Sequence, residues 1–517
     1  MKSLKIFTVI TVLFGISHGL KILGVFPLSS KSHWMMYRSI VEELMHKGHE
    51  IDVITPFPLR HSAPNYKEII IEVLDLQMEN VTLDIIQHSN PFTDTAFMSI
   101  MAGNDLCELL RREPLSSFIK NTPRDKYDIF LTEIFGANCY LGFGAHFDVP
   151  LVAVTSSVIL PWENDYVANP ESTSYVPNYM LPYTDRMNFY ERFVNTVMSI
   201  IIKYEFAYFT KSQDVVLKEV FGPDSPGVRE LESKIDLLLV NSHYSINTLR
   251  PLVPAVVEVG GLHVHENVAD KMTPELEKWM NDSTNGVVYF SLGSMVKPES
   301  FPPTIINSLY KSFSQLAPIR VLWKANKTEL PSGLPDNVRT MDWIPQADVL
   351  RHKNVKVFIS HGGLMGTQEA VYAGVPIVGI PLFADQALNI NNYVTKKIAV
   401  RVDFNDISVK TLSEALNTVI NDPTYWVNAK YISKRFRDRQ ASPLDTAVWW
   451  IEYVARYGKG SLRAAAVDMP WWQLALIDVY AAIILILGAS LYLLKIIVKL
   501  ILSAISNHFS AKQKKIQ

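Results

Sequence analysis

Short apolar segments that alternate with helical patterns are the feature of this sequence that most limits its fold. In the first half, strands are predicted at residues 21–27, 49–55, 127–132 and 150–155. In the second half, they are predicted at residues 287–291, 320–323, 338–341, 355–360 and 376–380. Between them, apolar residues recur three and four positions apart, as in helices. Since parallel strands need a crossover, usually a helix, the alternation predicts α/β architecture with parallel sheets covered by helices.

The pattern occurs twice, which predicts two doubly wound, Rossmann-like domains that face a cleft. The chain has 517 residues, more than one hydrophobic core usually supports. Turn-forming residues mark the change-over at Pro251, Pro254, Gly260 and Gly261. We therefore expect three segments, namely an N-terminal domain, a linker and a C-terminal domain over residues 20–240, 241–285 and 286–470. Ligands of such sheets bind beyond the carboxyl ends of the strands.

Both ends of the chain carry signals for secretion and membrane insertion. Residues 1–19 start with Lys2 and Lys5, continue with an apolar run and end with small residues, as a signal peptide does. Residues 475–498 are long and apolar enough to form one transmembrane helix. Residues 499–517 form a basic tail, which the positive-inside rule places in the cytosol. The two domains are then expected in the lumen.

Two sets of short motifs agree with a luminal location. Lys514 and Lys515 stand fourth and third from the C-terminus, which resembles the dilysine signal for retrieval to the endoplasmic reticulum. N-glycosylation sequons occur at Asn80, Asn281 and Asn326, all before the predicted anchor. We therefore expect a single-pass protein of the endoplasmic reticulum membrane.

Composition narrows the function a little further. The only cysteines are Cys107 and Cys139; an oxidising lumen permits a bridge, but the sequence leaves their pairing open. The formal net charge of -2 gives no electrostatic reason to expect a nucleic-acid partner. A helical segment at residues 185–220 is strongly apolar on one side and is expected to be buried, although it could also enclose a pocket or rest on the bilayer.

The stretch over residues 343–386 carries the most chemical information. His361, Gly362 and Gly363 follow a predicted strand and open a helix. Backbone N–H groups can approach a phosphate at such a turn, and the helix N-terminus attracts negative charge. Trp343 offers a flat face for a base, and stacking of this kind is worth about 1–3 kcal/mol.

Three polar residues extend the same pattern. Glu369, one turn into the helix, suits the hydroxyl groups of a ribose, and Asp385 and Gln386 follow another strand and suit the hydroxyl groups of a sugar. Each feature has an ordinary structural explanation when taken alone. Together they fall at successive strand ends, and they therefore predict a site for a sugar nucleotide.

A family resemblance is carried by three runs, W-I-P-Q-A-D-V-L-R-H, F-I-S-H-G-G-L-M-G-T-Q-E-A and G-V-P-I-V-G-I-P-L-F-A-D-Q. They resemble the signature of the UDP-glycosyltransferases of GT-B fold, which include glucuronosyl- and glucosyltransferases. The resemblance covers nearly the whole chain, and the Leu-Met-Gly-Thr form of the signature resembles the insect branch. It implies a hexosyltransferase with a UDP-sugar as co-substrate, a small lipophilic acceptor and no metal or other cofactor. Detoxification-type conjugation is the expected role.

The resemblance also assigns donor-binding roles. Trp343 would stack on uracil, Gln346 would hydrogen-bond the uridine and Glu369 would bind the ribose. The diphosphate and the sugar would be held by Ser291, Gly293, Ser294, His361, Gly363, Gly366, Thr367, Asp385 and Gln386.

Two positions depart from the family pattern. Met365 stands where many relatives have Asn, so one sugar-side contact is lost or passes to the main chain. Asn241 aligns with an Arg of the vertebrate glucuronosyl members, and such an Arg would pair with a glucuronate carboxylate. The resemblance therefore assigns sugar selectivity to Asn241 and favours UDP-glucose over UDP-glucuronate.

The expected chemistry depends on the N-terminal domain. His33 follows the first predicted strand and matches the family's catalytic His, and an imidazole is suited to take a proton near neutral pH. Glu133 stands where the family usually has Asp, so the orienting carboxylate has an extra methylene. The acceptor would attack with inversion while UDP leaves against His361 and backbone amides. No Asp-x-Asp triplet occurs, which argues against a metal-bound diphosphate.

Several alternatives stay open. The acceptor could be a membrane glycolipid or a steroid, and its pocket is expected to use the segments 91–103 and 161–190. A catalytically silent relative that binds lipophiles is disfavoured because His33 and Glu133 are both present. A sugar-nucleotide epimerase of the same fold is disfavoured by the secretory topology. The sequence determines neither the acceptor nor whether the chain forms homo-oligomers.

Overall fold

Two all-parallel sheets form the framework of the first compact unit, Met1–Arg463. This computed structural model describes residues 19–59, 63–72, 83–264 and 271–513. The predicted signal peptide (apart from Gly19), the sequon at Asn80 and the dilysine motif of Lys514 and Lys515 lie outside the described residues.

The first sheet has the strand order β3-β2-β1-β4-β5-β6-β7. Its strands are β1 (Lys21–Val25), β2 (Glu50–Thr55), β3 (Tyr66–Ile70), β4 (Ile129–Glu133), β5 (Leu151–Thr155), β6 (Leu237–Val240) and β7 (Val256–Glu258). The strand order changes direction between β1 and β4, and this switch point opens a crevice at the carboxyl ends of the two strands. β4 and β5 are buried along their whole length, as expected for strands covered by helices on both faces.

The second sheet repeats the arrangement with the order β10-β9-β8-β11-β12-β13. Its strands are β8 (Val287–Ser291), β9 (Arg320–Lys324), β10 (Val338–Met341), β11 (Val355–Ser360), β12 (Ile377–Gly379) and β13 (Ala399–Arg401). Its switch point lies between β8 and β11. The predicted pair of doubly wound sheets is therefore present, and each sheet has one crevice.

Helices connect the strands and cover both sheets. Those of the first unit are α1 (Lys31–His46), α2 (Leu83–His88), α3 (Pro91–Ser99), α4 (Asp105–Cys107), α5 (Leu115–Asn121), α6 (Gly142–Phe147), α7 (Glu163–Tyr166), α8 (Phe189–Phe209), α9 (Gln213–Phe221), α10 (Val228–Glu232), α11 (Pro274–Asp282), α12 (Pro303–Ser314), α13 (Gln346–Arg351), α14 (Leu364–Ala373), α15 (Gln386–Thr395), α16 (Val409–Asn421), α17 (Pro423–Arg437) and α18 (Pro443–Tyr457).

The segments that form each sheet and its helices differ from the predicted boundaries 20–240, 241–285 and 286–470. β7 lies inside the predicted linker and pairs with β6, so the first sheet continues to Glu258. α18 lies in the predicted C-terminal domain, but its apolar face packs into the core around β1, β2 and α1. That face consists of residues at helical spacing, Ala447, Val448, Ile451 and Val454. The last helix of the first unit therefore packs against the first sheet and covers part of its core.

Two features that the sequence left open have definite positions. Cys107 and Cys139 form a disulfide with their Cα atoms 6.0 Å apart. In α8, the expectation of a buried apolar face is wrong, since Phe193 is 58% exposed while Asn195 is fully buried. The side-chain oxygen of Asn195 accepts a hydrogen bond from the main-chain N–H of Asn178 at 2.7 Å. Because buried polar groups need such partners, the side of α8 that carries Asn195 faces inward and the side that carries Phe193 faces outward.

The second compact unit, Ala464–Gln517, contains α19 (Trp471–Leu474) and α20 (Ile477–Gln513). Among the described residues, Ile477–His508 is the one helical segment long and apolar enough to cross a membrane, with a mean hydropathy of 2.5. With 37 residues, α20 is about 55 Å long and extends beyond the predicted span of 475–498. The apolar segment is thus a helix that more than spans a hydrocarbon core of about 30 Å.

Candidate active site

A cavity of about 1180 Å³ lies at the carboxyl edges of both sheets of the first unit. Its walls include His33 and Ser156, which follow strands of the first sheet. They also include Ser291, Trp343 and His361, which end or follow strands of the second sheet. Since ligands of doubly wound sheets bind at this edge, the cavity is the candidate active site.

His33 and Glu133 meet at the switch point of the first sheet. His33 lies in the first turn of α1, shortly after β1, and Glu133 is the last residue of β4, the neighbour of β1. Nδ1 of His33 lies 2.6 Å from Oε1 of Glu133, and the carboxylate is almost fully buried. The structure therefore brings together the two residues that were predicted as the base and its orienting acid, and the longer side chain of Glu reaches the ring.

Two neighbours of this pair were missed in the sequence. Oγ of Ser156 lies 3.0 Å from Nδ1 of His33 and 3.5 Å from Oε1 of Glu133. Tyr37 lies one turn after His33 on α1, and burial together with the charge of Glu133 raises its pKa. Tyr37 is fully buried next to Glu133 and Ser156. Ser156 directly follows a predicted strand, and this was the available signal.

Trp343 lines the cavity with two cations beside its ring. The ring is 47% exposed, and Nζ of Lys324 and of Lys31 lie 4.8 and 5.9 Å from its centroid. Nζ of Lys324 also donates to the carbonyl of Gly293 at 2.8 Å. Burial and the charge of Lys31 lower the pKa of Lys324 to about 8. Positive charge is therefore concentrated next to the flat face that suits a base.

Gln346 and Glu369 are joined directly. Nε2 of Gln346 donates to Oε2 of Glu369 at 2.6 Å, and the hydroxyl of Tyr289 donates to Oε1 of Gln346 at 3.0 Å. Burial raises the pKa of Glu369 to about 7. Tyr289, in the middle of β8, was not predicted. The three side chains form one connected polar wall beside Trp343.

His361 occupies the switch point of the second sheet. Burial and the charge of Lys324 lower its pKa to about 4, so the imidazole is neutral at pH 7 and can donate a hydrogen bond. A Cβ at Gly293 would lie 2.9 Å from the ring, and one at Gly363 would lie 2.5 Å from it. Both predicted glycines are therefore needed to make room for the imidazole. Oγ of Ser291 accepts from the N–H of Gly293 at 3.3 Å and supports the turn.

The remaining residues of the predicted diphosphate loop differ in orientation. Ser294 and Gly366 line the cavity. Thr367 is fully buried, and its hydroxyl lies 2.9 Å from the hydroxyl of Tyr393 and donates to the carbonyl of Gly363 at 3.1 Å. The side chain of Thr367 is therefore structural, and its main-chain N–H also donates to the carbonyl of Gly363 at 3.1 Å.

Asp385 and Gln386 lie side by side on the cavity wall. Oδ2 of Asp385 accepts from the amide of Asn389 at 2.9 Å, and burial raises the pKa of Asp385 to about 6. Oε1 of Gln386 accepts from the main-chain N–H groups of Leu382 and Phe383 at 2.8 and 3.2 Å. Both residues are thus anchored at the N-terminus of α15.

Asn241, to which sugar selectivity was assigned, lies behind the cavity wall. Asn241 is fully buried, and it is not among the described residues that line the cavity. Its amide donates to the carbonyl of Ser156 at 2.8 Å, lies 3.0 Å from Sδ of Met365, and accepts from the N–H of Gly261 at 3.3 Å. Because these contacts use both ends of the amide, Asn241 supports the wall from behind. Met365 does line the cavity.

The glycosylation and metal predictions are not decided by the geometry. Asn281 is exposed and Asn326 is partly exposed, so both sequons are accessible. In the described ranges, no group of three or more His, Cys, Asp or Glu side chains is placed to hold a metal ion. Glycosylation at these sites and transfer without a metal both stay predictions.

Comparison with known proteins gives a consistent result. Residues 21–515 match the family model described as "UDP-glucoronosyl and UDP-glucosyl transferase". "UDP-glycosyltransferase UGT5" of Dactylopius coccus is 37% identical, over 93% of this chain and 92% of its own. "UDP-glucosyltransferase 2" of the same organism is 34% identical, over 99% of both chains. Human "UDP-glucuronosyltransferase 2B7" is 33% identical, over 89% of this chain and 90% of its own.

A solved structure agrees on the fold. The "glycotransferase of kitacinnamycin" superimposes with a TM-score of 0.55 and 17% identity, and the match covers 84% of this chain and 99% of that one. At this identity the likeness concerns the fold alone, and it confirms the predicted GT-B architecture of two parallel sheets.

Proposed function

Since the chain belongs to the UDP-glucoronosyl and UDP-glucosyl transferase family, we propose that it transfers glucose from UDP-glucose to a hydroxyl group of a small lipophilic acceptor. The family makes it a hexosyltransferase that uses a UDP-sugar. The observation that carries the proposal is that His33, held by Glu133, lines the same cavity as Trp343, His361 and Asp385. A base and a donor site therefore share one space.

His33 is proposed as the base. A carboxylate only accepts hydrogen bonds, so the contact with Glu133 keeps the proton of the imidazole on Nδ1. Nε2 then carries the lone pair that can take the proton of an acceptor hydroxyl. Attack of that hydroxyl on the face of the anomeric carbon opposite to UDP inverts the configuration. Glu133 stabilises the imidazolium that forms, and Ser156 at 3.0 Å helps to hold the ring.

The departing UDP is proposed to be stabilised by the second sheet. Negative charge grows on the diphosphate as the glycosidic bond breaks. The neutral His361 can donate a hydrogen bond, the turn at Gly363 presents main-chain N–H groups, and Lys324 and Lys31 lie near. These preorganised donors and charges would allow transfer without a metal ion.

The choice of glucose as donor sugar depends on the site, because the relatives carry both glucosyl and glucuronosyl names. No Arg stands at position 241, where a glucuronate carboxylate would find one in vertebrate glucuronosyl members. Asn241 lies behind the wall and makes no contact with the sugar. The residue favours glucose only because it lacks the guanidinium that would pair with a glucuronate carboxylate.

The acceptor is proposed to be lipophilic because apolar side chains surround the base. The ring of Phe135 stands edge-on to His33 with centroids 5.1 Å apart. Both segments expected to form the acceptor pocket reach the cavity, with Phe97 and Met98 from residues 91–103 and Met180 from residues 161–190. A steroid or a glycolipid would fit the same chemistry, and these remain the alternative acceptors.

We also propose that the protein is anchored in the endoplasmic reticulum membrane by α20, with both sheets in the lumen. The apolar segment Ile477–His508 supports the anchor, and Lys512, Lys514 and Lys515 follow on the side expected to be cytosolic. Protease added to sealed microsomes should leave the first unit intact and should remove a C-terminal epitope. Loss of the first unit without detergent would reverse this topology.

The donor is tested by expressing the full chain in membranes. UDP-glucose and UDP-glucuronate are offered separately with a panel of phenols, and glycoside formation is measured. Glucosides should form faster than glucuronides. Equal or better use of UDP-glucuronate would exclude the glucose assignment and leave the family activity intact. Use of neither donor would favour a silent lipophile-binding relative.

A further inference from the structure

Two carboxylates flank the loop that precedes α15. Asp385 belongs to the loop itself, while Asp94 comes from the first turn of α3. Oδ2 of Asp94 accepts from the main-chain N–H of Ala384 at 3.1 Å, and the hydroxyl of Ser89 donates to its two oxygens at 3.0 and 2.8 Å. Both carboxylates line the cavity. A residue far from the donor motif thus brings a second negative charge to the place where the sugar is expected.

A buried tyrosine hydroxyl lines the same cavity and is influenced by both charges. Tyr179 lines the cavity and is 5% exposed, and in the part of the chain that the structure describes its hydroxyl is buried without a hydrogen-bond partner. Burial and the charges of Asp94 and Asp385 raise its pKa, so it keeps its proton as a donor. The ring packs edge-on against Trp162, 6.1 Å between centroids. Since a buried hydrogen-bond donor normally has an acceptor, an oxygen of a bound ligand would accept the hydrogen bond of this hydroxyl.

The cations of the cavity lie elsewhere. Among the described lining residues, the Lys and Arg side chains are Lys31, Arg38 and Lys324. Lys31 and Lys324 stand over Trp343, and Nε of Arg38 donates to Glu42 at 2.8 Å. Lys31 and Lys324 therefore bring positive charge to the base-binding face, while Asp94 and Asp385 bring negative charge to the loop before α15.

We propose that Asp94, Tyr179 and Asp385 form a subsite that binds the hydroxyl groups of a neutral hexose and rejects a uronate. Carboxylates accept from sugar hydroxyls, and the tyrosine donates to a sugar oxygen. A uronate would bring a third negative charge next to two others, and like charges at contact distance repel strongly where water is excluded. The inference rests on the proposed use of UDP-glucose at the same site, and it gives that choice a cause other than position 241.

The principal test is Asp94→Asn in the full-length membrane protein. The ratio of kcat/KM for UDP-glucose to that for UDP-glucuronate should fall at least about tenfold, because one repelling charge is gone while the shape is kept. Asp105→Asn is the matched control, since Asp105 is an exposed acid close by on α4. An unchanged ratio in Asp94→Asn with normal UDP binding would overturn the subsite.

Two further measurements do not depend on the folding of that variant. Tyr179→Phe should raise the KM for UDP-glucose about 3- to 10-fold and leave inhibition by UDP unchanged, because only the sugar contact is lost. An equal loss for UDP and UDP-glucose would make Tyr179 structural and contradict the proposal. In the unaltered protein, UDP-glucuronate should compete more weakly than UDP itself, and stronger competition would also overturn the subsite. A protein that binds no UDP would instead overturn the proposed function.

Discussion

At the switch point of the first sheet, between β1 and β4, the functional side chains touch one another: His33, Glu133 and Ser156 lie within 3.5 Å. At the switch point of the second sheet, between β8 and β11, Gly293 and Gly363 make room for the imidazole of His361. The two crevices have the same topological origin. In the proposed reaction, the first crevice takes a proton from an acceptor hydroxyl, and the second holds an anion close to main-chain N–H groups.

The comparison is tested most severely by His33→Ala. Loss of the base should lower kcat by about 10²–10⁴-fold, while UDP binding stays within twofold, because the donor contacts come from the other sheet. Turnover with a phenol acceptor and titration with UDP measure the two effects. His46→Ala is the matched control, since His46 lies on the same helix with its side chain 78% exposed. Normal turnover in His33→Ala would remove the proton-transfer role from the first crevice.

The converse change is Trp343→Ala in the second sheet. Removing the stacking face should weaken UDP binding by about 1–3 kcal/mol, or about 5- to 150-fold, and should raise the KM for the donor far more than it lowers kcat. Trp426→Ala on α17 serves as the control, because that ring is similarly exposed and lies against Lys430, outside the cavity-lining set. A Trp343→Ala variant that loses kcat but keeps its affinity for UDP would contradict the assignment of donor binding to the second sheet.

A smaller effect concerns pH and donor affinity. Glu369, which faces Gln346, His263 and Arg351, has its pKa raised to about 7, and Lys324 has its pKa lowered to about 8. Protonation of Glu369 as pH falls through 7 removes an acceptor for the ribose, and deprotonation of Lys324 as pH rises through 8 removes a charge. The affinity for UDP-glucose should therefore peak between pH 7 and 8 and fall by up to about tenfold per pH unit on either side.

The decline of UDP-glucose affinity below pH 7 can be tested separately with Glu369→Gln. Glu369→Gln should bind UDP-glucose more weakly at pH 7.5 and should lose the decline below pH 7, because the substituted side chain does not titrate. Calorimetric titration at several pH values provides the measurement. If the affinity of this variant still declined below pH 7, another group would be responsible for the decline, and Glu369 would not belong to the donor site.

The donor half was largely predictable from the sequence because its chemistry is local. Trp343, His361, Glu369 and Asp385 lie in one stretch of chain. Trp343, His361 and Asp385 follow strands and Glu369 lies within α14, and the patterns of these elements are visible in that stretch. Their positions on one cavity wall follow from the rule that parallel strands end at one edge. Thr367 shows the limit of this reasoning, since its hydroxyl turns inward to Tyr393.

The first sheet was less predictable because its contacts join distant parts of the chain. The His33–Glu133 contact was expected from the family pattern, but the reach of the longer acid could only be seen in the structure. Sugar selectivity was assigned to Asn241 from an alignment, whereas the direction of its side chain depends on the carbonyl of Ser156 and the N–H of Gly261. Such partners are brought together by packing and leave no local pattern.

The sequence by itself determined the two parallel sheets, the edge at which their cavity lies, the long apolar segment near the C-terminus and most residues of the cavity wall in the second sheet. These follow from hydrophobic periodicity and from motifs that act within a few residues. The tertiary structure decided that Cys107 pairs with Cys139, that α18 packs against the first sheet, and that Asp94 reaches the loop before α15. The physical reason is that burial and hydrogen-bond pairing select these contacts in three dimensions, between segments whose separation along the chain carries no information about their distance.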